Sequence, residues 1–159
     1  NVCETIQGLY KRGFWLELLT LLIPGFNSSD DEIKKLTEFI VSISPDIPWH
    51  VTAFHKDYKM TDPANTSASD LIRAAKIGKA AGLRYIYAGN LPGMVGEWEN
   101  TYCPNCREIL IERYGFQIVK DRLSSAGGQC FQCKTSIPGF WKKPKTQRSS
   151  SGSVRPLLY

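Results

Sequence analysis

The sequence predicts an α/β fold with parallel strands, followed by a small four-cysteine metal-binding hairpin. Helix and strand signals alternate along residues 1–100, and two Cys-x-x-Cys pairs follow them. An α-β-α-β-α-β order with short turns demands parallel strands joined by right-handed crossovers, in an open sheet or a piece of a barrel. We expect the second arrangement, the C-terminal part of a partial TIM-type (β/α) barrel.

The first helix and the first strand are predicted within the N-terminal 23 residues. Residues 3–12 place Ile6, Leu9 and Tyr10 on one helical face. Residues 14–23 are nearly continuously apolar and end at a Pro-Gly turn. Such a run is typical of a strand covered on both faces, as in parallel sheets.

Two further helix-strand units follow. Ser29 and Glu32 form a capping box, and apolar residues then recur at helical spacing up to Ser44-Pro45. The second strand is predicted at residues 48–55, the third helix at residues 67–81 and the third strand at residues 83–88, with Gly82 ending the helix.

In a (β/α) arrangement the chemistry collects at the carboxyl ends of the strands, because the loops there vary while the helices hold the scaffold. These loops span residues 23–27, 55–60 and 89–93, and they are rich in Gly, Pro, Asn or charged residues. We therefore expect functional side chains in these three loops.

Four cysteines are spaced for metal binding: Cys103, Cys106, Cys130 and Cys133. Two residues between cysteines let both thiolates of a turn reach one ion, and two such turns complete a tetrahedral shell. Cys3 makes the cysteine count odd and no secretory signal is recognisable, which favours a cytosolic metal site over disulfides. The 23 residues between the pairs slightly exceed the usual ribbon spacing but suffice for a hairpin.

Three metal groups are compatible with four thiolates. Zinc would fold the segment without doing chemistry, since it has no redox states and a full shell leaves no position for water. One iron would carry single electrons, and an Fe–S cluster is also held by four thiolates. We expect structural zinc, with iron as the alternative.

The net charge of +5 comes from residues 142–159, which hold five Lys and Arg residues and no acid. This segment cannot bury enough apolar surface to fold alone, so we expect a basic disordered tail. A weak electrostatic arm for nucleic acid or an acidic partner is the functional alternative. No apolar run approaches the length of a membrane span, and we expect a soluble, cytoplasmic protein without a membrane partner.

Four segments resemble a known family. They are Leu-Leu-Ile-Pro-Gly-Phe-Asn (21–27), Pro-Trp-His-Val-Thr-Ala-Phe-His-Lys-Asp-Tyr-Lys-Met (48–60), Tyr-Ile-Tyr-Ala-Gly-Asn-Leu-Pro-Gly (85–93) and Glu-Asn-Thr-Tyr-Cys-Pro-Asn-Cys (99–106). Residues 3–141 resemble the C-terminal half of the AmmeMemoRadiSam-type radical SAM proteins, relatives of the pyruvate formate-lyase activating enzymes. The cysteine pairs and Ile-Pro-Gly-Phe-Trp (137–141) are the most specific part.

The resemblance implies a partial barrel that binds a [4Fe–4S] cluster and S-adenosylmethionine and cleaves the latter reductively to a 5′-deoxyadenosyl radical. The family holds its cluster on a Cys-x3-Cys-x2-Cys loop, whereas Cys3 stands alone in this sequence. Either the N-terminal half lies outside this chain or the chain is a degenerate copy. We expect the first, with the chain inactive by itself.

Few residue roles carry over from the family. His55 matches the histidine of a Pro-Tyr-His motif that lies beside S-adenosylmethionine; the alternative is a structural or merely exposed histidine. Glu17 is predicted in the barrel lumen or on an edge, while Leu19 stands where the relatives have an arginine. Asn27 is expected to cap a helix or to line the site. Because side chains alternate along a strand, His50 should point to the face opposite His55. We expect His50 to pack or to form a hydrogen bond there.

The sequence thus predicts a barrel portion at residues 1–100, a four-cysteine knuckle at residues 101–141 and a tail at residues 142–159. The leading functional hypothesis is a portion of a radical SAM enzyme with a small-molecule cofactor and a protein partner or protein substrate. The alternative is a non-enzymatic zinc-ribbon-type module that binds nucleic acid or a protein. Residues 1–141 are electrically neutral, which argues against nucleic acid because phosphate binding needs clustered Lys and Arg.

Overall fold

A computed structural model describes residues 1–141 of the chain. The predicted basic tail at residues 142–159 lies outside the described residues. The elements are α1 (Val2–Lys11), β1 (Leu18–Leu22), α2 (Asp30–Ile43), β2 (Trp49–Ala53), α3 (Ala68–Ala81), β3 (Ile86–Gly89), a short 3-10 helix (Gly96–Glu99), β4 (Thr101–Tyr102), β5 (Ile109–Tyr114) and β6 (Gln117–Asp121). The predicted order of three helices and three strands is confirmed.

Local sequence signals set the ends of the two core helices. Ser29 and Glu32 form a reciprocal capping box at the start of α2, and Ser67 and Asp70 form another at the start of α3. The hydrogen bonds from the side chain and backbone of Ser67 hold the pKa of the Asp70 carboxyl below its usual range. Gly82 ends α3 in the left-handed conformation, at φ 111°.

The first three strands form a parallel sheet in the order β1-β2-β3. Strand β2 alternates between buried and half-buried residues, and Trp49, Val51 and Ala53 are its buried ones. These three side chains share one core with the buried residues of α2 and α3. Both helices therefore cover the same face of the sheet.

Close packing joins α3 to the middle strand at Gly78. A methyl group at this position would lie 2.9 Å from the Trp49 ring, and Trp49 itself is almost completely buried. The indole N–H of Trp49 donates to the Thr20 hydroxyl of β1 at 3.0 Å. The glycine thus lets the helix approach the sheet closely enough to enclose the largest core side chain.

The opposite face of the sheet carries no helix within residues 1–141, and this corrects one prediction. The strand predicted at residues 14–23 and covered on both faces is the shorter β1, in which Leu19 is 68% and Leu21 42% exposed. An apolar run indicates that both faces of a strand are suited to burial. It does not show that residues 1–141 contain the elements that cover both faces. Helix α1 has no buried residue either.

The second sheet is antiparallel, in the order β4-β5-β6. Strands β5 and β6 form a hairpin between the two cysteine pairs, as the spacing predicted. A small core lies beneath it, formed by Leu110, Leu123, Ile137, Cys103 and Cys130, and Tyr85, directly before β3, joins this core. The metal-binding hairpin therefore packs directly against the parallel sheet.

No helix within residues 1–141 combines the length and apolar character needed to cross a bilayer.

The Gly78 contact makes a testable prediction. Gly78→Ala should lower the free energy of unfolding by about 1–3 kcal/mol, because the new methyl group forces Trp49 from its site. Gly8→Ala is the matched control in α1, where the nearest atom is the end of the flexible Arg12 side chain at 3.3 Å. This control should gain about 0.5–1 kcal/mol. Urea denaturation measures both, and equal effects would contradict the packing argument.

Candidate metal centre and strand-end loops

The first cysteine pair lies in a tight hydrogen-bonded turn. The backbone N–H of Cys103 donates to the Glu108 carbonyl at 2.9 Å, and the N–H of Arg107 donates to the Cys103 carbonyl at 3.0 Å. Arg107, directly after Cys106, has a left-handed backbone with φ 63°. This conformation folds the chain back so that both sulfurs face the same point.

The second pair repeats this geometry. Cys130 donates to the Thr135 carbonyl at 2.9 Å, and Lys134 donates to the Cys130 carbonyl at 2.9 Å. Lys134, directly after Cys133, has φ 64°. Two turns of the same construction thus face each other, although only the cysteines repeat in their sequences.

The four sulfurs converge on a site of single-ion size. Their Sγ atoms all lie within 4.8 Å of one another. The Sγ atoms of Cys103 and Cys133 lie 3.5 Å apart, and those of Cys106 and Cys130 lie 3.6 Å apart. Sulfurs at ~2.3 Å from one tetrahedral ion are separated by roughly 3.8 Å. A cluster with several irons would hold its thiolates farther apart, so the geometry suits one ion.

The pKa values of two of the four thiols are shifted in opposite directions. The Thr135 hydroxyl lies 3.1 Å from the Cys133 sulfur, and this contact, together with the Thr135 backbone and the neighbouring thiols, lowers the pKa of Cys133 to about 5. A backbone hydrogen bond at Glu108 lowers the pKa of Cys106, but desolvation and the other three thiols outweigh it and raise that pKa to about 12. One thiolate is therefore available at neutral pH before any metal arrives.

An aromatic side chain packs against the small core that contains Cys103 and Cys130. Trp141 donates its indole N–H to the Ile137 carbonyl at 2.7 Å. Its ring lies so close to Gly128 and Gly139 that a methyl group on either residue would overlap it, at 2.0 and 2.7 Å. The Ile-Pro-Gly-Phe-Trp segment therefore holds the second cysteine turn in place.

The metal centre and the strand-end loops lie at opposite ends of the parallel sheet. Tyr85, which packs beside Cys103, directly precedes β3 and so marks the amino end of the strands. The loops after the strands are at the carboxyl end. The four-cysteine centre is thus separated from the position where a (β/α) fold performs its chemistry.

Polar side chains connect the strand-end loops. The buried Thr66 hydroxyl donates to the Leu22 carbonyl at 2.5 Å and accepts from the Phe54 N–H at 3.0 Å, which links the ends of β1 and β2. Asn90, after β3, donates to the Ala53 carbonyl at 2.9 Å. These bonds hold the three carboxyl ends together.

Asn27 braces the loop after β1. Its side-chain oxygen accepts from the Ile23 N–H at 2.8 Å, and its amide donates to the Leu21 carbonyl at 3.0 Å. The expectation that it caps a helix is wrong, since Ser29 is the N-cap of α2. Its side chain pairs two backbone groups at the end of β1, which is a structural part, and the alternative that it lines a site stays a prediction.

His55 is exposed, two residues beyond β2 at the carboxyl end of the sheet. A cavity of about 480 Å³ is lined by one residue of the loop after β1 and by the segment after β2, but not by His55: Phe26, Asp57, Tyr58, Lys59, Met60, Asp62 and Pro63. Residues that follow β1 and residues that follow β2 therefore share one concave surface.

The uncovered face of the sheet carries a polar pair at its amino end. Glu17, predicted inside a strand, lies just before β1 and is exposed. It contacts the His50 ring at 2.9 Å and accepts from the Trp15 indole at 3.0 Å. His50 stacks on Tyr87 with ring centres 5.0 Å apart, which is the packing and hydrogen bonding that strand alternation predicted for it.

Tyr87 is the member of this group that the sequence did not single out. Its hydroxyl lies 2.9 Å from the Thr101 hydroxyl, which also accepts from Arg113 at 2.8 Å. Burial raises the pKa of the Tyr87 phenol. Tyr87 lies opposite His50 on the neighbouring strand, so both side chains are on the same face of the sheet. The sequence could have indicated their contact only if the register of the two strands had been known.

The chain is 37% identical over 137 residues to Uncharacterized protein MJ0808 of Methanocaldococcus jannaschii. The match covers 86% of this chain but only 40% of that relative. No protein-family model and no solved structure matches the chain. The chain therefore spans less than half the length of the relative that it matches.

The contact between Thr135 and Cys133 makes the metal affinity pH-dependent in a defined way. Thr135→Val removes the hydroxyl, so the pKa of Cys133 should rise from about 5 towards the ordinary thiol value. Between these two values the ion must then displace one more proton. Metal affinity at pH 6 should fall, while affinity above pH 9 should match that of the unaltered chain.

Calorimetry in buffers of different ionisation enthalpy measures the protons released on metal binding. Thr135→Ser is the matched control, because it keeps the hydroxyl and should keep the proton count. Equal proton release by the Val and Ser variants at pH 6 would contradict the assignment.

Proposed function

We propose that this chain is the C-terminal portion of a radical SAM enzyme related to the pyruvate formate-lyase activating enzymes, and that its parallel sheet is part of a (β/α) barrel. The observation that carries the proposal is a sheet in sequential strand order with both core helices on one face. A doubly wound sheet has helices on both faces, whereas a barrel keeps them outside and leaves the inner face to side chains.

The uncovered face supports this interpretation. Leu19 and Leu21 are exposed there, beside the pair of Glu17 and His50. Exposed leucines on a strand are unfavourable in water, and they would be buried if further strands continued the barrel. The longer archaeal relative has more than half of its length outside the match, enough to supply such strands.

The [4Fe–4S] cluster that the proposal implies does not fit any residues of this chain. Cys3 has no cysteine neighbours, and the four-cysteine centre has the dimensions of a single ion. The cluster ligands would belong to the remainder of a longer protein. In this proposal the chain contributes His55 at the carboxyl end of the strands as a contact to S-adenosylmethionine, and Glu17 on the inner face.

The four-cysteine centre is proposed to be structural zinc. Its distance from the strand-end loops separates it from the site of chemistry, and four thiolates leave no open position for water. It joins the ends of the β5-β6 hairpin to the amino end of the parallel sheet through Tyr85. Its proposed part is therefore to hold the hairpin against the barrel.

Metal analysis tests this assignment. Chain purified without added metal should contain about one zinc per chain and be colourless, because zinc has no partly filled d shell. A stoichiometric iron content with visible absorption would overturn zinc in favour of an electron-transfer centre. Cys103→Ser should lower the metal content, whereas Cys3→Ser is the matched control and should leave it unchanged.

The enzyme proposal is tested in the longer protein. Its coding sequence should contain Cys-x3-Cys-x2-Cys upstream of residue 1, and the reconstituted, reduced protein should release 5′-deoxyadenosine from S-adenosylmethionine. His55→Ala should weaken S-adenosylmethionine binding about tenfold, as loss of one hydrogen bond to a charged group does. Lys56→Ala is the neighbouring control and should bind normally.

A longer protein without the cysteine triplet, or one that makes no 5′-deoxyadenosine, would overturn the enzyme proposal. Tight binding of nucleic acid by such a protein would favour the zinc-ribbon-type module instead.

A further inference from the structure

A cavity of about 150 Å³ lies at the free edge of β3, away from the strand-end loops. One wall consists of the end of α3 and the consecutive residues 83–87. The other wall comes from the 3-10 helix and the first cysteine turn, through Trp98, Tyr102 and Arg107. The cavity therefore forms only where the metal-binding hairpin meets the parallel sheet.

Tyr85 is the buried polar group of this cavity. The residue is 95% buried, since its exposed fraction is 5%. Its hydroxyl has no hydrogen-bond partner within residues 1–141. No completely enclosed side-chain oxygen or nitrogen in this part of the chain lacks a partner, so the hydroxyl keeps some exposed surface. Tyr85 is one of the residues that line the cavity. A buried phenol without a partner is unfavourable unless a ligand or water satisfies it.

Cations outnumber carboxylates in the cavity lining, although burial and then the negative charge of Asp46 raise the pKa of the Tyr85 phenol. Lys79, Arg84 and Arg107 line it, with Glu97 as the carboxylate. Arg84 is held by Asp46 at 3.0 Å, and Arg107 lies 3.6 Å from Glu97. Lys79 makes no salt bridge within the described part of the chain, and its ammonium lies over the Trp98 ring at 5.5 Å. Within residues 1–141 the cavity lining thus includes one cation without a carboxylate partner and one buried phenol without a hydrogen-bond partner.

The metal centre positions the second wall. Arg107 follows Cys106 directly, and its left-handed backbone belongs to the turn that the metal closes. Its guanidinium stacks on Tyr102 at 5.1 Å, which fixes the direction of the side chain. An ion held by the four sulfurs would constrain this turn further and, with it, the position of the Arg107 guanidinium in the cavity wall.

We propose that this cavity binds a small oxyanion, a phosphate or carboxylate group, at a site that the metal centre assembles. The Tyr85 hydroxyl donates to an anion oxygen, and Lys79 and Arg107 supply the compensating charge. The volume admits an isolated oxyanion group and excludes an entire nucleotide. The proposal does not depend on the radical SAM assignment, because the cavity lies at the other end of the sheet.

The test uses the full 159-residue chain loaded with zinc, with inorganic phosphate and acetate as separate probes in NMR titrations. Saturable shifts at Tyr85 and Arg107 with Kd of about 1 mM are expected for at least one probe. Whether phosphate or acetate binds shows whether the site recognises a phosphate group or a carboxylate group. Tyr85→Phe and Arg107→Gln should each weaken binding about tenfold, as loss of one hydrogen bond to a charged group does.

Arg122→Gln is the matched control. Arg122 also flanks the cysteine turns, pairs with a carboxylate at 3.0 Å and stacks on an aromatic ring at 5.1 Å, but it does not line the cavity. Zinc content and melting temperature identify folded variants. If Arg107→Gln loses zinc, Lys79→Gln provides the same test from the opposite wall. Removing zinc with a chelator should abolish binding.

No saturable binding of either probe by the folded, zinc-loaded chain would overturn the proposal. Equal weakening by Arg122→Gln would also overturn it, since it would show nonspecific attraction to basic side chains. Unchanged binding after zinc removal would overturn the claim that the metal centre assembles the site.

Discussion

The structure depends on the enclosure of Trp49 in the middle strand of the parallel sheet. Its ring fills the space that Gly78 leaves in α3, its indole bonds to Thr20 in β1, and its backbone N–H donates to the Tyr85 carbonyl at 2.9 Å. One residue thereby connects both neighbouring strands and a covering helix. The relative positions of the strand-end loops and of the metal centre follow from this arrangement, since each is attached to one end of the same strands.

Elements with local signals could be predicted from the sequence. The capping boxes at Ser29 and Ser67 mark the starts of the helices, because the hydrogen bonds involved join residues three apart. The four metal ligands were likewise readable, since the spacing within each pair is itself the geometric requirement. Radical SAM membership and the contacts of His55 with a cofactor stay predictions.

Features that depend on distant packing could not be predicted in the same way. The apolar residues of β1 suit burial on both faces, but a sequence does not reveal which chain segment covers the second face. The structural part of Asn27 was missed because its side chain could hydrogen-bond either to the start of α2 or to the backbone at the end of β1. The sequence does not show which of these partners it takes. The position of Tyr85 beside Cys103 required the docking of two sheets.

The two cysteine turns share an asymmetry that follows from their common construction. In each pair the first sulfur is buried, at Cys103 and Cys130, while Cys106 is exposed and Cys133 half-buried. A bound ion would therefore have a sealed side and a side open to solvent. A competing ion or an oxidant would react first at Cys106 and Cys133. The buried sulfurs of Cys103 and Cys130 would still bind the ion at that stage. The centre would thus release its ion stepwise through one edge, at a rate set by two side chains rather than four.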